Sequence, residues 1–163
     1  MGVEQLPAEL HGVGGERVLA ISSGGGHWVQ LLRLRPAFDG CDVVYASTRE
    51  CNRDDVPGRP FRRIPEASAS TRLRAIRCAV SVVRLVVTVR PTVVVTTGAL
   101  PGYLAVRVGR LVGARSVWID SIANADKLSK SGERIRDHVD VWLTQWPHLA
   151  SPDGPEWHGS VLG

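Results

Sequence analysis

The stretch "RVLAISSGGGHWVQLL", residues 17–32, runs from an apolar segment through two serines and three glycines into a segment with spaced leucines. Arg17 to Ser22, rich in branched apolar residues, reads as a buried strand, and Leu31, Leu32 and Leu34 among polar neighbours, stopped by Pro36, read as a short helix. A strand, a glycine turn and a helix start in this order aim backbone N–H groups and the positive end of a helix dipole at an anion. Neither standard nucleotide signature is present. Counted from Gly24, a G-x-G-x-x-G pattern finds Gly26 but meets Val29 where the third glycine belongs, and no G-K-[ST] occurs. The turn is therefore either a ligand-facing loop or a tight βα turn that uses glycine only for positive φ. Three consecutive glycines followed by His27 exceed what the turn alone requires.

The rest of the chain sets this motif in a repeating context. "DVVYAST" (42–48) and "TVVVTTG" (92–98) read as strands, "FRRIP" (61–65) as a short third one, and "RSVWID" (115–120) and "VDVWLTQW" (139–146) as two more. Between them, 70–89 is a long helical segment ended by Pro91, and Pro101 to Val112 a second helix with Gly113 just past its end. "RECNRDDVPGRP" (49–60) is polar and carries Pro57, Gly58 and Pro60, so it reads as a loop. Strands alternating with helices imply right-handed βαβ units, a parallel sheet and an α/β, Rossmann-like fold with flanking helices. Ligands of such sheets sit at the carboxyl ends of the strands, where Ser22 to His27, Gly98 to Gly102 and Asp120 to Asn124 all fall.

The length of 163 residues suits one domain, read as 17–163 behind a flexible leader at 1–16, and 44% hydrophobic with 22% charged residues is ordinary for a folded protein. All but two of the 20 basic residues are arginine, the exceptions being Lys127 and Lys130, so the net charge of +4 carries less information than where the arginines lie. Scattered arginines and the lack of a recognised motif argue against nucleic-acid binding. Cys41, Cys51 and Cys78 share no metal-ligand spacing, so neither a zinc site nor a disulfide framework is expected, and a reducing cytoplasm fits. The first residues, "MGVEQLPAELHGVGGE", hold acids and no apolar core of a signal peptide, and no stretch approaches the ~20 apolar residues of a spanning helix.

Taken together, "SSGGGHWVQLL", "PTVVVTTGALPGYLAVRVGRLVGARSVWIDS" and "DVWLTQWP" resemble the membrane-associated subunit of split glycosyltransferases. That group includes the smaller subunit of bacterial exopolysaccharide transferases and the anchoring subunit of the eukaryotic dolichol-linked GlcNAc transferase. More distantly the chain is similar to the N-terminal half of the peptidoglycan GlcNAc transferase, a two-domain GT-B enzyme. The resemblance covers roughly residues 17–163 and implies the fold of an N-terminal GT-B half that receives a polyprenyl-pyrophosphate-linked saccharide. It further implies a separate UDP-sugar-binding chain as partner, no cofactor or metal, inactivity without that partner, and a place on the inner face of the plasma membrane.

Under this resemblance the opening loop, Ser23, Gly24, Gly25 and Gly26, faces the acceptor pyrophosphate, because glycines let backbone N–H groups approach without interference from Cβ. His27 serves as hydrogen-bond donor to phosphate or sugar, or as proton acceptor; its alternative is a helix-entry residue packing on its own turn. Asp120, closing the strand "SVWID", stands where related proteins usually carry Glu and is, with His27, a candidate for the base, with capping of the next segment as its alternative. Ser121 and Asn124 are placed against sugar hydroxyls, and Thr97, Gly98 and Gly102 beside the acceptor, although Pro and Gly at a strand-to-helix junction also occur without a ligand.

The helix at 70–89 carries Arg74, Arg77 and Arg84 on one side and Leu73, Ile76, Val80, Val83 and Val87 on the other. That apolar stripe reads either as the core face of the helix or as a face buried in lipid. Trp28 is placed at a lipid interface near the acceptor, and the tail "TQWPHLASPDGPEWHGSVLG" (144–163) against the partner chain, with a simple surface tail as its alternative. Two other classes remain open: a dinucleotide-binding Rossmann enzyme and a non-catalytic scaffold that recruits a glycosyltransferase.

Overall fold

The computed structural model describes residues 15–66 and 72–161. Seven parallel strands form one sheet in the order β3-β2-β1-β4-β5-β6-β7, with β1 Arg17–Ile21, β2 Asp42–Ser47, β3 Phe61–Arg63, β4 Val93–Thr96, β5 Arg115–Ile119, β6 Val141–Thr144 and β7 Glu156–Trp157. The helices are α1 Gly26–Arg33, α2 Arg72–Val89, α3 Ala99–Leu111 and α4 Lys130–Ile135. This is the expected α/β, Rossmann-like architecture. The central strands are apolar throughout because helices cover both faces: all four residues of β4 are buried, as are the last four of β1 and of β5.

Strand alternation sorts the core into two layers. Val18 and Ala20 of β1 point to the layer of α1, with Trp28, Leu31 and Phe38; Leu19 and Ile21 point to the layer of α2, α3 and α4, with Val82, Val86, Val106 and Ile135. α3 lies unusually close to the sheet. A Cβ on Gly102 would fall 2.0 Å from Thr96 Oγ1, and one on Gly109 would fall 2.8 Å from Val94 Cγ2.

Two local expectations change. α3 begins at Ala99, before Pro101, because a proline in the first helical turn gives up an N–H that has no intrahelical acceptor. Residues Glu50–Asp55, in the polar segment, wind into a 3-10 helix. The tail returns to its own sheet: β7 pairs with β6, and Val161 is buried, its N–H donating to Gln145 Oε1 at 2.9 Å and its carbonyl accepting from Arg33 at 3.0 Å. Of the expected leader, residues 1–14 lie outside the described residues, as do 70–71 at the expected start of α2. Glu16 is tied down, pairing with Arg115 at 2.7 Å and accepting from the Thr92 hydroxyl. Among the described residues no helix is long and apolar enough to cross a membrane.

Candidate functional site

β1 has β2 on one side and β4 on the other, so the chain leaves β1 toward one face of the sheet and β4 toward the other. The crevice outside the carboxyl ends of these two strands is the position where open α/β sheets hold ligands. Gly25 caps α1 with φ 68°, and Gly98 caps α3 with φ 114°, followed by Ala99 at φ 63°. Positive φ at consecutive residues, one of them not glycine, marks a backbone held in place by its surroundings.

The two loops clasp each other through one residue pair. The His27 ring lies with Nδ1 2.7 Å from the carbonyl oxygen of Thr97, and the Thr97 hydroxyl donates to the carbonyl of His27 at 2.7 Å. A carbonyl can only accept, so Nδ1 carries the proton and Nε2 is left for a ligand; among the described residues it has no partner. One turn further along α1, the buried Gln30 ties in the third loop. Its Nε2 donates to Ser121 Oγ at 3.1 Å and its Oε1 accepts from Ile122 N at 3.1 Å. Gln30 is absent from the residues expected at the site; its signal is the i, i+3 spacing from His27, which puts both on one helix face.

The helix starts differ in a way that bears on charge. α4 is capped by Ser129 Oγ, which accepts from Gly132 N at 2.9 Å, and carries Glu133 in its first turn. α1 and α3, whose starts meet at the crevice, have neither a capping side chain nor an acid in the first turn. Among the described residues the N–H groups of Gly25, Gly26 and His27 have no acceptor. Gly24 N is already taken, donating to Thr48 Oγ1 at 3.0 Å, and the Ser23 carbonyl accepts from the Ser22 and Ser47 hydroxyls. Orphan donors and an uncompensated positive dipole end make the crevice suited to an anion.

Arg49 adds a full charge at the same place. Its side chain lies across Gly24, with Cδ 2.7 Å and Nε 2.8 Å from where a Cβ on that glycine would stand, and it has no hydrogen-bond or ion-pair partner among the described residues. Sequence reading passed over Arg49 because it belongs to a polar loop 25 residues downstream of Gly24, and only the pairing of β1 with β2 brings the two together.

The other expected site residues divide. Asp120 is 2% exposed. One of its oxygens accepts from Ser121 N at 2.9 Å and Asn124 Nδ2 at 3.0 Å, and the other from Ser129 N at 2.8 Å. This is capping geometry, and it leaves the carboxylate almost no surface toward the crevice. Asn124 is held by Asp120, and Ser121 Oγ by Gln30, so both shape the loop. Gly102 is not in a loop: it is buried in the first turn of α3, where Thr96 excludes any side chain. Trp28 is not at a lipid interface. It is 2% exposed, meets Tyr45 and Phe61 edge-on at 6.1 and 6.0 Å, and donates from Nε1 to Asp55 at 2.8 Å. An aromatic that donates from its only polar atom has no need of the interface.

Leu73, Ile76, Val80, Val83 and Val87 are exposed, whereas Cys78, Val82, Leu85 and Val86 face the core. The stripe read as a possible core face is the outward one; Arg74, Arg77 and Arg84, expected on the opposite side, are exposed along its edge, Arg84 one helical turn from both Val80 and Val87.

Among solved structures the chain resembles MurG from Acinetobacter baumannii with a TM-score of 0.70 at 13% identity, over 87% of this chain and 45% of that one. A glycosyltransferase from Rickettsia africae matches with a TM-score of 0.57 at 8% identity, over 81% of this chain and 36% of its own. The fold is that of a GT-B half domain. The chain spans less than half the length of either structure. No family model matches the sequence, and no curated protein does.

Proposed function

We propose that this chain is the acceptor-binding half of a glycosyltransferase. In this reading it takes a polyprenyl-pyrophosphate-linked saccharide and works with a separate UDP-sugar-binding chain in polysaccharide biosynthesis. The observation that carries it is the crevice between β1 and β4: two helix starts without capping side chains or acids, and, among the described residues, the free N–H groups of Gly25, Gly26 and His27 and the unpaired Arg49 across Gly24. Together they suit a pyrophosphate, and the fold shared with glycosyltransferases supports a transferase-like role. The order of motifs resembles the split enzymes, from which the two-chain arrangement and the N-terminal position of this half are taken.

His27 is assigned the proton transfer. Nδ1 is fixed on the Thr97 carbonyl, so Nε2 takes the proton of the acceptor hydroxyl as its oxygen bonds to the anomeric carbon; the bond from that carbon to the diphosphate breaks, and UDP leaves. Asp120 is assigned a positioning role, holding residues 121–129 through its three hydrogen bonds. Membrane contact is assigned to α2, whose exposed apolar stripe is flanked by arginines and which contains no acid, so that the chain sits peripherally on an anionic inner leaflet.

The test is a reconstituted assay with a UDP-sugar, a polyprenyl-pyrophosphate saccharide and the partner chain. Turnover by the pair and none by this chain alone is expected. Turnover by this chain alone would overturn the two-chain assignment, and full turnover by the pair after Arg49→Ala and Gly26→Val together would overturn the crevice as acceptor site.

A further inference from the structure

A groove of about 470 Å³ lies between α2 and the edge strand β3, on the face of the sheet away from α1. It is separate from the crevice: it follows the second half of α2 toward the amino ends of β1 and β2, with Arg17 and Asp42 at its far limit. Those two neutralise each other at 3.1 Å. Arg62, Arg63 and Arg84 also line it, and among the described residues no carboxylate answers them, while Arg63 and Arg84 have neither a hydrogen-bond nor an ion-pair partner. Ser81 and Thr88 stand on the same helix face as Arg84 and add two hydroxyl donors, while Ile64 and Leu85 give an apolar floor. Three guanidinium groups over an apolar floor, with hydroxyls between them, suit a phosphate carried by an apolar body.

The neighbouring surface says which phosphate. Arg84 lies one helical turn from Val80 and Val87, both of the exposed stripe, so the rim of the groove and the apolar face are continuous on α2. A phosphate bound there has its apolar remainder beside Val80, Val83 and Val87. We propose that the groove between α2 and β3 seats the phosphate headgroup of an anionic phospholipid, giving the chain a defined headgroup site in addition to a diffuse attraction to the bilayer. This rests on the membrane contact assigned to α2 and not on the catalytic reading.

The test is cosedimentation of the full chain with phosphatidylcholine vesicles, with and without phosphatidylglycerol. Each arginine near an anionic surface is worth roughly five-fold in partitioning, so Arg63→Gln with Arg84→Gln should weaken binding to the anionic vesicles about 25-fold. Binding to neutral vesicles and the thermal midpoint should not move. Arg134→Gln with Arg136→Gln removes the same charge from exposed positions outside the groove and should change little. An equal loss with that control pair would overturn the site and leave only net charge. No binding to either vesicle would overturn the membrane contact and the groove together, while binding that ignores Arg63 and Arg84 would overturn the groove alone. Amide shifts at Ser81 and Thr88 should be larger with a short-chain phosphatidylglycerol than with inorganic phosphate at the same concentration; equal shifts would overturn the lipid as the source of the phosphate.

Discussion

His27 has two nitrogens with separable duties, one holding Thr97 and one turned toward the crevice. Asn can donate from its amide where Nδ1 donates, but offers nothing at Nε2. His27→Asn should therefore keep the clasp and the melting temperature while lowering turnover of the assembled pair by about 10²- to 10⁴-fold, the usual contribution of a positioned base. Turnover within a few-fold of the parent would remove His27 from proton transfer. Asp120→Asn should act on stability instead. Losing a charged acceptor of two backbone N–H groups in a buried setting costs about 1–3 kcal/mol, read from urea unfolding, and the accompanying loss of turnover should be recovered by conditions that restore the fold.

At the scale of elements, glycines of identical chemistry divide by what surrounds them. A Cβ on Gly26 meets nothing within 4 Å among the described residues, so Gly26→Ala should fold as well as the parent and reveal its effect only in acceptor affinity. Gly102→Ala meets Thr96 Oγ1 at 2.0 Å. The gain in helix propensity of roughly 1 kcal/mol is smaller than the overpacking cost of about 1–3 kcal/mol, so the variant should melt lower, and Thr96→Ala in the same chain should recover part of the loss. α2 makes the same point with apolar residues. Val80→Asp with Val83→Asp, at positions 46% and 43% exposed, should lower vesicle binding without lowering stability, whereas Val82→Asp, fully buried, should prevent folding.

Across the whole molecule, burial holds the thiols of Cys41 and Cys78 and the phenol of Tyr45 above their ordinary ranges. Each is an acid that the folded chain keeps protonated longer than the unfolded chain does. Stability from this source is complete below the unfolded thiol value of about 8.5 and falls as pH rises past it. Urea midpoints should be level up to about pH 8 and decline toward about pH 10.5, with a shallower decline in Cys78→Ala. A midpoint that rises over that range would contradict the assignment of these groups.

The sequence by itself determined the kinds of elements and their order. Continuous apolar runs such as "TVVVTTG", glycine at Gly113 and proline at Pro91 are local signals, and hydrophobic period, φ preference and the missing proline N–H act within a few residues. It also located the three loops, because a parallel α/β sheet brings the carboxyl ends of its strands to one edge. α4 and β7 were not legible in it: six residues for the one and two for the other are too few to establish a period. What the tertiary structure alone decided is which of two candidate surfaces faces inward and which distant residues meet. α2 carries two apolar stripes, and period cannot say which one the sheet covers. Trp28 has the same chemistry at a membrane or in a core, and only Tyr45, Phe61 and Asp55 place it inside. Arg49 reaches Gly24, and Gln30 reaches Ser121, through strand pairing and helix docking across long stretches of chain. Such contacts depend on the packing of whole elements, which no local window of sequence contains.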